Sequence, residues 1–446
     1  MYPKPPITRT GKSGWLGRRA TRLKSLAVAG AVTLGFAGAA FAAAAPASAD
    51  PGFQFVGVGS DTTQSMMDVF AGQVSGGILG SYDAVNPVSN VGGEIITPGV
   101  ALGGGNQTNC SYTRPNGSGQ GFKALDKSFN QSTTLAQLTV APGANCIQFS
   151  RSSGAPGSGT SAATGPGVLD TSGNLIYIPF ALDAVTDATG PTTAVSETTQ
   201  CVAATTGCTN VVNGIGTITF TTTPTAITNA GQFTLANLQT LYGSCANVTV
   251  NGVTYNPNTA AAGQTQINLY APQNGSGTLS FWESKMGVTA VQTCWHQTIA
   301  AGPAAGISVE EHDGSALASD PNGIAPISIA KWLAFSNGVV TPDLRHGDIL
   351  QPIGGVQPIV SGSLNANFPI VREVYNVMEF SQVTSGGANF NAVLAGLFAS
   401  PNSALCQSTF TIQNLGFAPL PSPSTPDACG STANSLRVQE TTNGPS

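Results

Sequence analysis

Charge is scarce in this chain: 8% of its 446 residues are Asp, Glu, Lys or Arg, with 16 Lys and Arg against 21 Asp and Glu. Seven of the cations (Lys4, Arg9, Lys12, Arg18, Arg19, Arg22, Lys24) precede Ser25, so the remainder keeps nine against all 21 acids, a formal charge of −12. A surface this poor in Lys and Arg repels nucleic acid and anionic lipid, and any anion it holds must be held by local dipoles. Nucleic acid is excluded as a partner. Histidine is rarer still, with three scattered residues, and Cys-x-x-Cys is absent, so no metal and no cofactor is expected. Neither Gly-x-Ser-x-Gly nor His-Glu-x-x-His occurs, so catalysis lacks a motif and the protein reads as no enzyme. No apolar run after Ala45 is long enough to span a bilayer.

What is present begins with the cationic start, followed by an uncharged Ala/Val/Leu/Phe run from Ser25 to Ala45 and the small triplet Ala47-Ser48-Ala49. This pattern predicts a cleavable signal peptide over 1–49 and a mature start at Asp50. No Cys stands near that point to carry a lipid, so a secreted, extracellular, monomeric product is expected. All eight cysteines (Cys110, Cys146, Cys201, Cys208, Cys245, Cys294, Cys406, Cys429) lie beyond it, an even number in an oxidising compartment, which reads as disulfides. Eight cysteines allow 105 connectivities; the spacing favours pairing of neighbours in sequence order.

About 400 mature residues exceed one compact core, and short Val/Ile/Phe runs alternate with amphipathic stretches, which predicts an α/β protein of two lobes. Ser153 to Gly167 and Asp187 to Asn213, low in large apolar residues, read as surface loops, and the Pro-rich tail after Leu420 as extended and tied down by Cys429. Three segments repeat one plan of strand, Gly/Ser/Thr turn and helix. Phe53 to Val58 leads into Gly59-Ser60-Asp61-Thr62 and a helix with Met66, Phe70 and Val74 on one face, capped by Ser60 or Asp61. Asn116-Gly117-Ser118-Gly119 precedes a helix with Phe122 and Leu125, and Asn274-Gly275-Ser276-Gly277-Thr278 precedes one with Phe281, Trp282 and Met286. Such turns offer free N–H groups, hydroxyl donors and the positive end of a helix dipole, which suits an anion; singly, each is also an ordinary helix cap.

The order of these segments resembles the phosphate-binding subunit of bacterial phosphate importers, a two-lobed type II periplasmic-binding-protein fold. The resemblance runs through Val56 to Thr63, Asn116 to Gly121, Ile147 to Ser153, the crossing strand Ile176 to Leu182, the helix Thr234 to Gly243, Asp313-Gly314-Ser315, Asn322-Gly323-Ile324 and Phe368 to Arg372. Its best single motif is Asn274-Gly275-Ser276-Gly277-Thr278, similar to the family's Asp-Gly-Ser-Gly-Thr loop. The resemblance implies an α/β fold with two crossover strands at a hinge, lobe I over 50–184 and 331–446, and lobe II over 185–330. It implies phosphate or a related oxyanion in the cleft on Ser60, Thr62, Ser118, Ser152, Ser276, Gly277 and Thr278, with the membrane subunits of an ABC importer as partners. The family's carboxylate falls at Ser153 and its cleft arginine at Pro272, so Asp61 and Arg151 are the candidates to replace them; Arg151 reads equally as a surface cation. A secreted binding or adhesion module for sugar, peptide or surface polymer is the alternative function. His312, between Glu311 and Asp313, is the one charged cluster that could orient a base beside a cleft serine, although a helix-start position explains it more simply.

Overall fold

A computed structural model describes residues 50–85, 95–96, 98–101, 110–129, 145–157, 168–202, 208–212, 215–300, 305–420 and 428–439. The expected signal peptide lies outside the described residues, as does most of the expected Ser153 to Gly167 loop. Among the described residues no helix is long and apolar enough to cross a membrane.

The first unit runs from strand β1 (Phe55–Gly59) through a turn into helix α1 (Gln64–Gln73) and strand β2 (Leu79–Ser81). Every residue of β1 is buried, as suits a parallel strand covered on both faces, and Met66, Met67 and Phe70 of α1 are buried in the same core. Helix α2 (Ser118–Phe129) buries Phe122 and Leu125 and is followed by β3 (Phe149–Ser152). The 15-residue β4 (Leu175–Thr189) then crosses the molecule. Beyond it come β5 (Asn268–Tyr270), α3 (Gly277–Met286), β6 (Trp295–His296), the short α4 (Ser315–Ser319), β7 (Gly323–Ser328), α5 (Ile329–Ser336) and β8 (Val371–Glu379).

These strands lie in one sheet in the order β6-β5-β7-β4-β8-β3-β1-β2. Both ends are parallel sets: β6, β5 and β7 on one side, β3, β1 and β2 on the other. They meet through antiparallel β4, which pairs with β8 from Leu175 to Ala184 and with β7 from Val185 to Thr189. The architecture is thus mixed α/β with two sheet halves sharing a crossing strand, consistent with a two-lobed type II arrangement. A bulge opposite Val374 and Tyr375 leaves Phe180 without a register partner, beside Pro179, which has no N–H to give the ladder.

Where β4 changes partners, Asp183 is fully buried and accepts from four donor atoms of three residues. Arg372 of β8 donates to it from Nη2 at 2.7 Å and Nε at 3.1 Å, and Ser328 Oγ and Ala330 N donate at 3.0 and 3.1 Å. One carboxylate thereby ties the crossing strand to β8 and to the start of α5.

The stretch from Asp187 to Asn213 is not the loop expected of it. β4 continues to Thr189, and Ser196–Val202 and Thr209–Val212 pair with Ile215–Thr221 in a separate three-stranded antiparallel sheet. Threonine is β-branched and forms strands without supplying the large apolar side chains by which a strand is usually recognised. Three bridges join sequence neighbours, Cys110–Cys146, Cys245–Cys294 and Cys406–Cys429, and Cys208 is also disulfide-bonded. The Cys406 bridge holds the tail, whose Arg437–Gln439 pairs with the start of β4. Replacing Cys245 and Cys294 together by serine is expected to lower stability by about 3 kcal/mol in urea unfolding, because the bridge shortens the unfolded chain's reach.

Candidate functional site

Of the turns singled out in the sequence, the first and third follow β1 and β5 into helices α1 and α3, the second opens α2, and Ser153 follows β3; ligands bind at such strand ends in α/β sheets. Gly59, at the end of β1, bridges to Asn116, which brings the second turn beside the first. Gly119 N donates to Gly275 O at 3.1 Å, which joins the second turn to that of the opposite sheet half. Two glycines permit this approach. Gly117 has φ +94°, and a Cβ on it would lie 2.5 Å from Gly275 O; a Cβ on Gly277 would lie 2.6 Å from Ser153 Oγ.

The side chains so assembled form a cradle of hydroxyls. Ser60 Oγ donates to Ser153 Oγ at 3.1 Å, Ser118 Oγ lies 3.3 Å from Ser153 Oγ, and Thr62 Oγ1 lies 3.5 Å from Thr278 Oγ1. Ser276 caps α3, its Oγ accepting from Thr278 N and Leu279 N at 3.0 and 3.2 Å. At the centre stands a carboxylate that the sequence reading left out of the site. Glu311 accepts from Thr62 Oγ1 at 2.6 Å through one oxygen and from Ser276 Oγ at 3.0 Å through the other. Burial, and then repulsion from the Asp61 carboxylate, pushes the Glu311 carboxyl up to about 7.

Ser60, Thr62, Ser118, Ser276, Gly277 and Thr278 are therefore brought together. Asp61 sits at the cradle's edge, its Oδ2 2.9 Å from His312 Nδ1; neither it nor Ser60 caps α1, whose N-cap is Thr63. Burial alone would raise the Asp61 carboxyl, but attraction to His312 and Lys331 and hydrogen bonding to His312 and Glu311 hold it well below the usual carboxylate range. Glu310 is pushed well above that range by burial, then by Asp61 and Glu311.

Two expected residues are placed elsewhere. Arg151 is neither a surface cation nor a cleft donor. Fully buried, it gives four hydrogen bonds to Gly59 O, Ser60 O, Tyr82 O and Ser81 Oγ at 2.7 to 3.0 Å, bracing the turn after β1 from behind. Ser152 turns its hydroxyl to Gly154 O at 2.8 Å, and Ser153 takes the place in the cradle. Successive strand side chains point to opposite faces, so a one-residue change decides which serine faces the cleft. Glu310, Glu311, His312 and Asp313 form the densest charge run in a charge-poor chain, and that run was the available signal for the residues missed.

Chemically the cradle offers neutral donors and a helix start to an oxyanion, with one internal carboxyl that is either an acceptor or, when protonated, a donor. Ser276 is held by two N–H groups and donates to Glu311, so it serves here as a cap and anion donor.

No protein-family model and no curated protein matches the chain. Among solved structures it is similar to a protein from Clostridium perfringens assigned as a phosphate ABC transporter substrate-binding protein, with phosphate bound, at 11% identity and TM-score 0.41, over 83% of this chain and 100% of that one. It is also similar to an ABC-type phosphate transport receptor from Vibrio cholerae (11% identity, TM-score 0.40, 82% of this chain and 100% of that one). A phosphate-binding protein from Stenotrophomonas maltophilia is similar at 12% identity and TM-score 0.36, over 86% of this chain and 99% of that one.

Proposed function

We propose that the protein is a secreted, two-lobed solute-binding protein that takes a tetrahedral oxyanion, phosphate foremost, between Ser60, Thr62, Ser118, Ser153, Ser276 and Thr278. The observation that carries the reading is the Glu311 carboxylate, an anion of the chain's own, held by hydroxyls from both sheet halves at 2.6 and 3.0 Å. A ligand oxyanion would use the same donors, with Gly277 letting it approach the start of α3 closely. The lobes would be 50–184 with 331–446, and 185–330, meeting where β4 changes partners between Ala184 and Val185. Delivery of the anion to the membrane subunits of an importer is the role such a protein would serve.

Calorimetric titration of the mature protein with phosphate should show one site per chain. Thr62→Val with Ser276→Ala, which removes two donors, is expected to weaken it by on the order of 100-fold, at about 1–1.5 kcal/mol for each donor lost. Melting curves would register the separate loss of about 1 kcal/mol from the α3 cap. Absence of heat with phosphate, arsenate and a phosphate monoester alike would sink the proposal.

A further inference from the structure

Beside the cradle, the turn that supplies Glu311 also sets Glu310 and His312 against Asp61. One donor atom from each of these three lies within 4.8 Å of the other two. Glu310 Oε2 and Asn116 Oδ1 are buried and make no hydrogen bond, and His312 Nδ1 meets the Asp61 carboxylate alone, 2.9 Å from its Oδ2. Asn116 is tied to the same group, its Nδ2 donating to Glu310 Oε1 at 3.4 Å. Buried polar atoms almost always find partners, and an amide oxygen or an ionised carboxylate only accepts. The group that would satisfy these atoms together is a cation. Lys331 borders the same cavity of about 270 Å³, but its Nζ donates to Ser65 Oγ at 3.1 Å.

We propose that Asp61, Glu310 and His312, with Asn116 Oδ1 beside them, bind one divalent first-row transition metal, zinc being the ion whose donor preferences they meet. Imidazole with two carboxylates suits zinc better than calcium or magnesium, which take oxygen alone. Donors about 2.1 Å from a tetrahedral zinc lie roughly 3.4 Å apart, so three atoms within 4.8 Å need only side-chain adjustment. Three protein ligands leave the fourth tetrahedral position open, with the Asn116 amide beside it. The three ligands adjoin the cradle, because Asp61 lies between Ser60 and Thr62 and Glu310 precedes Glu311. Resting on the oxyanion reading, the ion would supply the positive charge that Arg151, spent on backbone carbonyls, does not.

The test is calorimetric titration of the chelator-treated mature protein with zinc chloride, repeated with cobalt(II) to read the visible absorption of a bound ion. One saturable site per chain is expected, weakened roughly 100-fold or more in His312→Ala and in the isosteric Glu310→Gln, since losing a ligand costs more than the 10–100-fold lost with a supporting partner. His296→Ala should leave the affinity unchanged. Thermal melts accompany each variant, and if His312→Ala does not fold, Glu310→Gln decides. No saturable zinc binding, or binding undiminished in Glu310→Gln, overturns the metal site. Phosphate titrations with and without zinc separate the two ideas: phosphate bound without zinc uptake removes only the metal, whereas zinc bound without phosphate removes only the oxyanion reading.

Discussion

Replacing Arg372 by methionine is expected to destabilise the protein by about 3–5 kcal/mol, read as a lower urea midpoint with an unchanged slope. Arg372 and Asp183 are both almost wholly buried, and their pairing at 2.7 Å spans β4 and β8 at the point where β4 passes from one sheet half to the other. Without the guanidinium, Asp183 keeps Ser328 Oγ and Ala330 N but remains an uncompensated charge in the interior. Adding Asp183→Asn should recover most of the loss, because removing both charges removes the penalty. A double-mutant cycle with less than about 1 kcal/mol of coupling would show that the pair does not tie the crossing strand.

Sulfate binding should weaken about tenfold for each pH unit above 7, whereas phosphate binding should change little between pH 7 and 8.5. The contrast comes from Glu311, whose carboxyl is pushed up to about 7. Below that pH it is neutral and donates a hydrogen bond to an anion oxygen. Above it the ionised group repels an anion and keeps the Thr62 and Ser276 donors, so an anion without a proton must wait for Glu311 to take one up, and each pH unit divides the neutral fraction by about ten. Monohydrogen phosphate carries a proton of its own and can donate it to ionised Glu311. In Glu311→Gln the sulfate dependence should flatten. Parallel pH profiles for the two anions would mean that Glu311 does not govern the cradle.

Much of the cradle was legible in the sequence because its donors sit on turns with a local signature, as in Asn274 to Thr278 and Asn116 to Gly119, where glycine, hydroxyl residues and a following helical face occur together. Local spacing also indicated pairing of neighbouring cysteines, three pairs of which are joined. Facing was not legible. Whether Ser152 or Ser153 enters the cleft, and whether Arg151 looks into it or behind it, depends on where β3 ends and on what packs over it. The Glu311 carboxylate was hidden for another reason: it stands 249 residues from Thr62, and no local pattern relates the two.

An α/β chain, the candidate anion-binding turns, the absence of an enzyme motif, and a cationic and apolar start that predicts export are all legible in the residue order alone. These properties are written in neighbouring residues, through periodicity, turn chemistry and charge. Packing across the fold was needed to show that the cradle hydroxyls hold a carboxylate of the chain, that the arginine offered as their cation is a buried brace, and that Asp61, Glu310 and His312 converge. Those outcomes depend on contacts between segments far apart in the sequence, and burial there costs a charge far more than any local preference gains, so the packing settles which charge is paired and which is neutral.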